Sequence, residues 1–185
     1  MVTKSPRRDQ LVSTASELFY RHGFHATGID TVLAESGVAK MTLYNHFKSK
    51  EGLIVATIHD RSSRVMKWIE FGTASRAQTG LGKLLVLFDI HEDWYNSPNF
   101  LGCYFQRVCA EFPDRNSQPH RAAATHFSKL FDCLKNWAEE ADLGTPAARA
   151  EEALLLLEGA TVMAQATGAT IAARRARRSF EATLG

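Results

Sequence analysis

The sequence predicts an all-α protein. Apolar residues recur at i, i+3, i+4 spacing along almost the whole of its 185 residues, and strict apolar–polar alternation is scarce. Gly23, Gly37, Pro98 and Pro113 punctuate the periodic stretches where helices have to stop. Ser5 and Pro6 are a cap and first-turn pair for a first helix, whose stripe is Leu11, Ala15, Leu18, Phe19 and His22, and Gly23 ends it. A short second helix starts at Thr27, with Asp30 three residues on forming a capping-box-like pair, buries Ile29, Val32 and Leu33, and stops at Gly37. A third begins near Lys40 with Leu43 and Phe47 on one face. Ser49 caps a longer helix through Leu53, Ile54, Ile58, Val65, Trp68 and Ile69. After the Gly- and Ser/Thr-rich break near 72–82, helices are expected over about 81–95, 102–112, 120–141 and 145–167, with a last one ending near 184.

Composition narrows the function. Hydrophobic residues make up 45% and charged residues 23%, as in an ordinary globular protein with a real core. Lys and Arg total 22 against 20 Asp and Glu, a net charge of +2, which excludes a grossly basic coat or an acidic tail but not a local basic patch. The longest apolar runs, 84–88 and 153–157, are five residues each, against the ~20 that span a bilayer. A charged start (MVTKSPRRDQ) fits a cytoplasmic protein with no membrane partner. The 3 cysteines form no CxxC pair, so neither a disulfide scaffold nor a zinc ribbon is expected. No GxxxxGK[ST], GxSxG or GxGxxG pattern occurs, so neither an enzyme nor a cofactor is expected.

Three short helices joined by a tight Gly-Val-Ala turn are a helix-turn-helix arrangement. At about 100° per residue, Leu43 and Phe47 turn inward, Met41, Thr42 and Asn45 turn outward, and Tyr44 and His46 flank them. Lys40 lies nearer the buried side, but its long stem reaches out. Asn pairs well with adenine, Thr and Met methyls suit the thymine methyl, and Lys, Tyr and His hold phosphates. Residues 1–59 carry the whole net charge of +2.

The stretch 11–53, above all GVAKMTLYNHFKSKEGL, resembles the DNA-binding region of TetR-type (TetR/AcrR) bacterial transcriptional regulators. Gly37-Val38, Thr42-Leu43-Tyr44, His46-Phe47 and Ser49-Lys50-Glu51 with Leu53 carry the resemblance. It implies a DNA-binding domain over 1–50, closed by the helix from about 50, and a helical ligand-binding and dimerisation domain over 51–185. It also implies a homodimer, double-stranded operator DNA as partner, a small inducer, and phosphate contacts from Thr27, Tyr44 and Lys50. The chain departs from the common pattern at Gly28, at Ala39, where a capping Ser is usual, and at Met41, where a small residue is usual.

The second half is rich in aromatic residues at helical spacing. Phe88, His91, Trp94, Tyr104, Phe105, Phe127 and Trp137 are candidates to line a pocket for an apolar or aromatic inducer, with Gln106 as a further polar group. Cys103 follows Gly102 near a helix start, where the dipole lowers a thiol pKa, so an oxidant- or electrophile-sensing repressor is an alternative. A protein-binding adaptor that keeps the fold without DNA is another. Leu154, Leu157, Thr161 and Ala164, with Ile171 and Phe180, are the expected dimer interface. His91-Glu92-Asp93 reads as a solvated helix face, and Arg174, Arg175, Arg177 and Arg178 as a helix edge balanced by Glu151, Glu152 or Glu158.

Overall fold

The computed structural model describes residues 5–184, so part of the charged start lies outside it. Among the described residues there are nine helices and no strand. They are α1 (Pro6–His22), α2 (Ile29–Ser36), α3 (Lys40–Phe47), α4 (Lys50–Ala74), α5 (Gly80–Tyr95), α6 (Tyr104–Glu111), α7 (Gln118–Glu140), α8 (Pro146–Thr167) and α9 (Ala172–Ala182). Helical periodicity places each to within about two residues of expectation.

The capping chemistry differs in detail. Gly23 ends α1 at φ 92 and Gly37 ends α2 at φ 64, each donating its N–H back to a carbonyl of the last turn. Ser5 occupies the cap of α1 without a side-chain hydrogen bond. Gly28, not Thr27, is the cap of α2. Thr145 caps α8 in a left-handed conformation, and its hydroxyl donates to the Gly144 carbonyl. Ser49 does cap α4, accepting from the Gly52 amide at 3.0 Å.

The chain divides into two compact units, and not at residue 50. The first runs up to Arg64 and includes Tyr104–His126; the second comprises Val65–Cys103 and the chain from Phe127. In the first, α1 packs on α2 and α3 around Leu11, Ala15, Phe19, Phe24, Val32 and Leu43. Each of these side chains other than Ala15 contributes ~1.5–3 kcal/mol of burial. The unit recruits α6 through aromatic and cationic contacts. The Tyr104 hydroxyl donates to Thr57 Oγ1 at 2.9 Å, and the Arg61 guanidinium lies over the rings of Tyr20 (4.5 Å) and Tyr104 (5.3 Å). Those partners sit 40 to 90 residues away in sequence, which is why no local signal placed α6 with the helix-turn-helix.

In the second unit α8, α9 and α5 pack on one another around Leu84, Leu87, Phe88, Ala153, Leu157, Ala173 and Phe180. Arg174 pairs with Glu92, and Arg177 with Asp89 (2.7 Å) and Glu181 (3.1 Å). The arginine edge is therefore balanced chiefly from α5. Glu152 serves Arg149 and Thr183 instead. Asp93 pairs with Arg76 and His91 is buried, so the three consecutive residues 91–93 go to different partners. No helix is long and apolar enough, among the described residues, to cross a membrane.

Candidate nucleic-acid interface

Helix α3 has one apolar stripe, and that stripe orients it. Leu43 and Phe47 are buried, while Met41 (71% exposed), Tyr44, Asn45, His46 and Lys40 project into solvent. Thr42, expected to point directly out, is half-buried. Neither Gly28 nor Ala39 offers a side-chain cap, so the first-turn amides of α2 and α3 have no side-chain acceptor at their cap. Gln10 of α1 holds the end of α2 by donating from Nε2 to the Ser36 carbonyl at 2.8 Å.

The cationic residues are held loosely. Lys40 Nζ stands 3.6 Å from Asp30 on an exposed surface, a pair worth only ~0–1 kcal/mol. Lys50 Nζ donates to the His25 carbonyl at 3.3 Å. Burial lowers the Lys50 pKa, and the carboxylate of Glu111 opposes that shift. A shallow groove of about 460 Å³ beside α3 is lined by Arg8, His46, Phe47, His59 and Asp60.

Thr27 is the exception among the expected phosphate ligands. It is 3% exposed, and its hydroxyl donates to the Gly23 carbonyl at 2.7 Å. A hydroxyl has one proton, and here it closes the turn between α1 and α2. Sequence reasoning also missed Glu111, whose carboxylate accepts from the amides of Phe24 and His25. A separation of 86 residues leaves no sequence signal for that contact.

The seven expected pocket residues are divided between the two units. Tyr104 and Phe105 belong to the first unit, where Phe105 stacks on His126 with ring centroids 3.5 Å apart. In the second unit, Phe88 packs against Phe180 in the core, and Trp137 and Phe127 are half-buried. His91 and Trp94 do meet, in an aromatic cluster with Trp68, Tyr95 and Phe100. The Tyr95 and Thr161 hydroxyls share a 2.7 Å hydrogen bond beside the Leu157 carbonyl, which Thr161 Oγ1 reaches at 2.9 Å. Cys103 is half-buried, immediately before α6. Burial raises the pKa of Cys109 and pushes that of Cys133 up to about 11.

The expected dimer residues are corrected too. Leu157, Thr161, Ala164 and Phe180 are buried within their own unit, and Leu154 packs against the same core. Of the six, Ile171 alone is exposed. The outward face of α8 is instead Leu155 (68% exposed), Val162 (47%) and Met163 (52%), with Gly159 facing open space.

Residues 11–57 match the family model of bacterial regulatory proteins, tetR family. The HTH-type transcriptional activator FasR of Mycolicibacterium smegmatis is 44% identical over 55 residues, which are 30% of this chain and 25% of that protein. The fatty acid metabolism regulator protein of Bacillus subtilis is 25% identical over 91 residues, 49% of this chain and 46% of that one. The chain thus spans a quarter of the first relative and under half of the second. Over nearly the whole fold, a TetR-family transcriptional regulator from Streptomyces coelicolor superposes with a TM-score of 0.87 at 27% identity, covering 96% of this chain and 94% of that one. A tetR-type regulator structure from Streptomyces avermitilis shares the fold, with a TM-score of 0.84 at 22% identity, covering 97% and 98%. Residues 11–57 thus carry a helix-turn-helix similar to that of the bacterial regulatory proteins, tetR family, and the helices around it are arranged as in a TetR-family regulator of known structure.

Proposed function

We propose that the protein is a homodimeric, sequence-specific DNA-binding transcriptional regulator, a repressor that a small apolar or aromatic molecule releases from its operator. The observation that carries this reading is α3 itself. Its buried Leu43 and Phe47 leave Met41, Tyr44, Asn45 and His46 as a solvent-facing set of base-edge and phosphate ligands, within a matched helix-turn-helix. Lys40 stands at one end of that set in a weak ion pair that a phosphate can replace, and Lys50 at the other, its ammonium on the His25 carbonyl with protons left for a phosphate. The apolar outer face of α8 supports self-association, because Leu155, Val162 and Met163 have no partner surface within the chain's own core. The cluster of Trp68, His91, Trp94, Tyr95 and Phe100 supports an aromatic ligand class.

The experiment is a selection of bound duplexes from genomic fragments, followed by anisotropy titrations over a range of salt. A pseudo-palindrome with half-site centres ~34–36 Å apart, or a multiple of that, is expected. Lys50→Ala should weaken all sequences alike and lower the slope of log K against log salt by about one. Asn45→Ala should change which bases are tolerated, at ~1–3 kcal/mol per lost bidentate contact. Selection that returns no enriched sequence from the wild type would sink the reading. For the inducer, calorimetry should find ligand affinity weaker in the presence of operator than in its absence, since coupling between two sites is reciprocal.

A further inference from the structure

Helix α6 ends in a contact that the reading of α3 does not use. Oε2 of Glu111 accepts the backbone N–H groups of both Phe24 (2.8 Å) and His25 (2.9 Å). The His25 ring donates from Nε2 to the Glu111 carbonyl at 2.7 Å and lies 4.8 Å from the ring of Phe112. Two successive amides converging on one anion form a nest. It opens after Gly23, at φ 92, where an added Cβ would stand 3.0 Å from Glu111 Oε1. The carbonyl of the same His25 receives Lys50 Nζ at 3.3 Å. Carboxylate, turn and ammonium therefore form one chain of contacts inside the first unit.

We propose that Glu111 is a positioning residue for DNA binding: by filling the 23–25 nest it fixes the His25 carbonyl, and through it the Lys50 ammonium that meets a backbone phosphate. The proposal rests on the DNA-binding reading above. A four-carbon stem already ordered in the free protein loses less freedom when DNA arrives. One hydrogen bond to a carbonyl also leaves two ammonium protons for phosphate oxygens. The sign is distinctive. An acidic residue acting only through its charge opposes DNA, so removing it would tighten binding. A residue acting by placing Lys50 weakens binding when removed.

The test uses the full chain and a duplex recovered by selection, titrated over salt. Glu111→Ala should weaken binding about tenfold and lower the salt slope by about one, as Lys50→Ala does. The double variant should bind no more weakly than Lys50→Ala alone, because the two act through one contact. Glu111→Gln, whose amide oxygen can take the place of Oε2, should stay within about threefold of wild type. If Glu111→Ala fails to fold, Glu111→Asp keeps the charge but falls a methylene short of the nest, and the same losses are expected. Amide exchange at Phe24 and His25, slow in wild type and Glu111→Gln but fast in Glu111→Ala, reads the clamp without DNA. Unchanged or tighter binding by Glu111→Ala overturns the proposal, as do losses that multiply in the double variant or exchange that does not respond. A wild type that binds no duplex overturns the DNA-binding reading itself, and that failure is visible before any variant is compared.

Discussion

His91 sits among Trp68, Trp94 and Tyr95 with its Nδ1–H on the Leu87 carbonyl at 2.7 Å, which leaves Nε2 as the bare nitrogen of a neutral ring. Burial lowers its pKa to about 4, and the Leu87 bond opposes that shift without overcoming it. The unfolded chain, titrating near 6.5, therefore holds more protons than the folded one between these values. Stability from this residue is complete above about pH 6.5 and falls as pH drops toward 4. Between pH 7.5 and 5 the wild type should lose roughly 2 kcal/mol more than His91→Phe, read as denaturant midpoints at the two pH values. Parallel losses in the two proteins would refute the assignment. The sequence identified His91 as a polar group in apolar surroundings. Its self-contained bond to Leu87 became visible only with the aromatic cluster around it.

The turn between α3 and α4 shows how one element constrains the next. Lys48 adopts φ 65, Ser49 donates its N–H to the Phe47 carbonyl at 2.8 Å, and Ser49 Oγ accepts from Gly52. A Cβ on Gly52 would stand 2.1 Å from the Phe47 carbonyl oxygen, a backbone atom that cannot step aside alone. Gly→Ala inside a helix ordinarily stabilises by ~0.5–1 kcal/mol, but this contact reverses the sign. Gly52→Ala should cost ~1–3 kcal/mol in chemical denaturation, the range for overpacking. It should also weaken DNA binding, because the displaced end of α3 carries His46. A gain in stability would show that the turn can open without cost. The need for glycine at 52 comes from the approach of the preceding helix end.

At the scale of the molecule, one face of α8 is built into the core and the other is exposed. Leu157 is fully buried in the second unit's core, whereas Leu155, two positions earlier, is 68% exposed. A glutamate at 157 leaves an unpaired buried charge, at ~3–5 kcal/mol, so Leu157→Glu should lose helical circular dichroism or melt far lower. Leu155→Glu should keep its helical content and sediment as a monomer. Its operator affinity should fall steeply, since tight specific binding generally needs both half-sites. A Leu155→Glu protein that remains dimeric would place the interface on another face.

The sequence by itself determined the nine helices of the described residues, the glycines that end α1 and α2, and the outward set on α3 apart from Thr42. These rest on local information. A single apolar stripe at 3.6-residue spacing has one way to face a core, and helix ends of positive φ select glycine whatever lies beyond them. Tertiary structure alone decided that Thr27 turns inward, that α6 joins the helix-turn-helix, that Glu111 closes the 23–25 turn, and which side of α8 is buried. Helix α8 is apolar nearly all round, with Leu154, Leu155, Leu156 and Leu157 consecutive, so periodicity offers no preferred side. Only packing against α5 and α9 selects one. The contacts of Tyr104 and Glu111 depend on which helices meet, and that is settled by the summed burial of the whole unit rather than by any stretch of chain short enough to read.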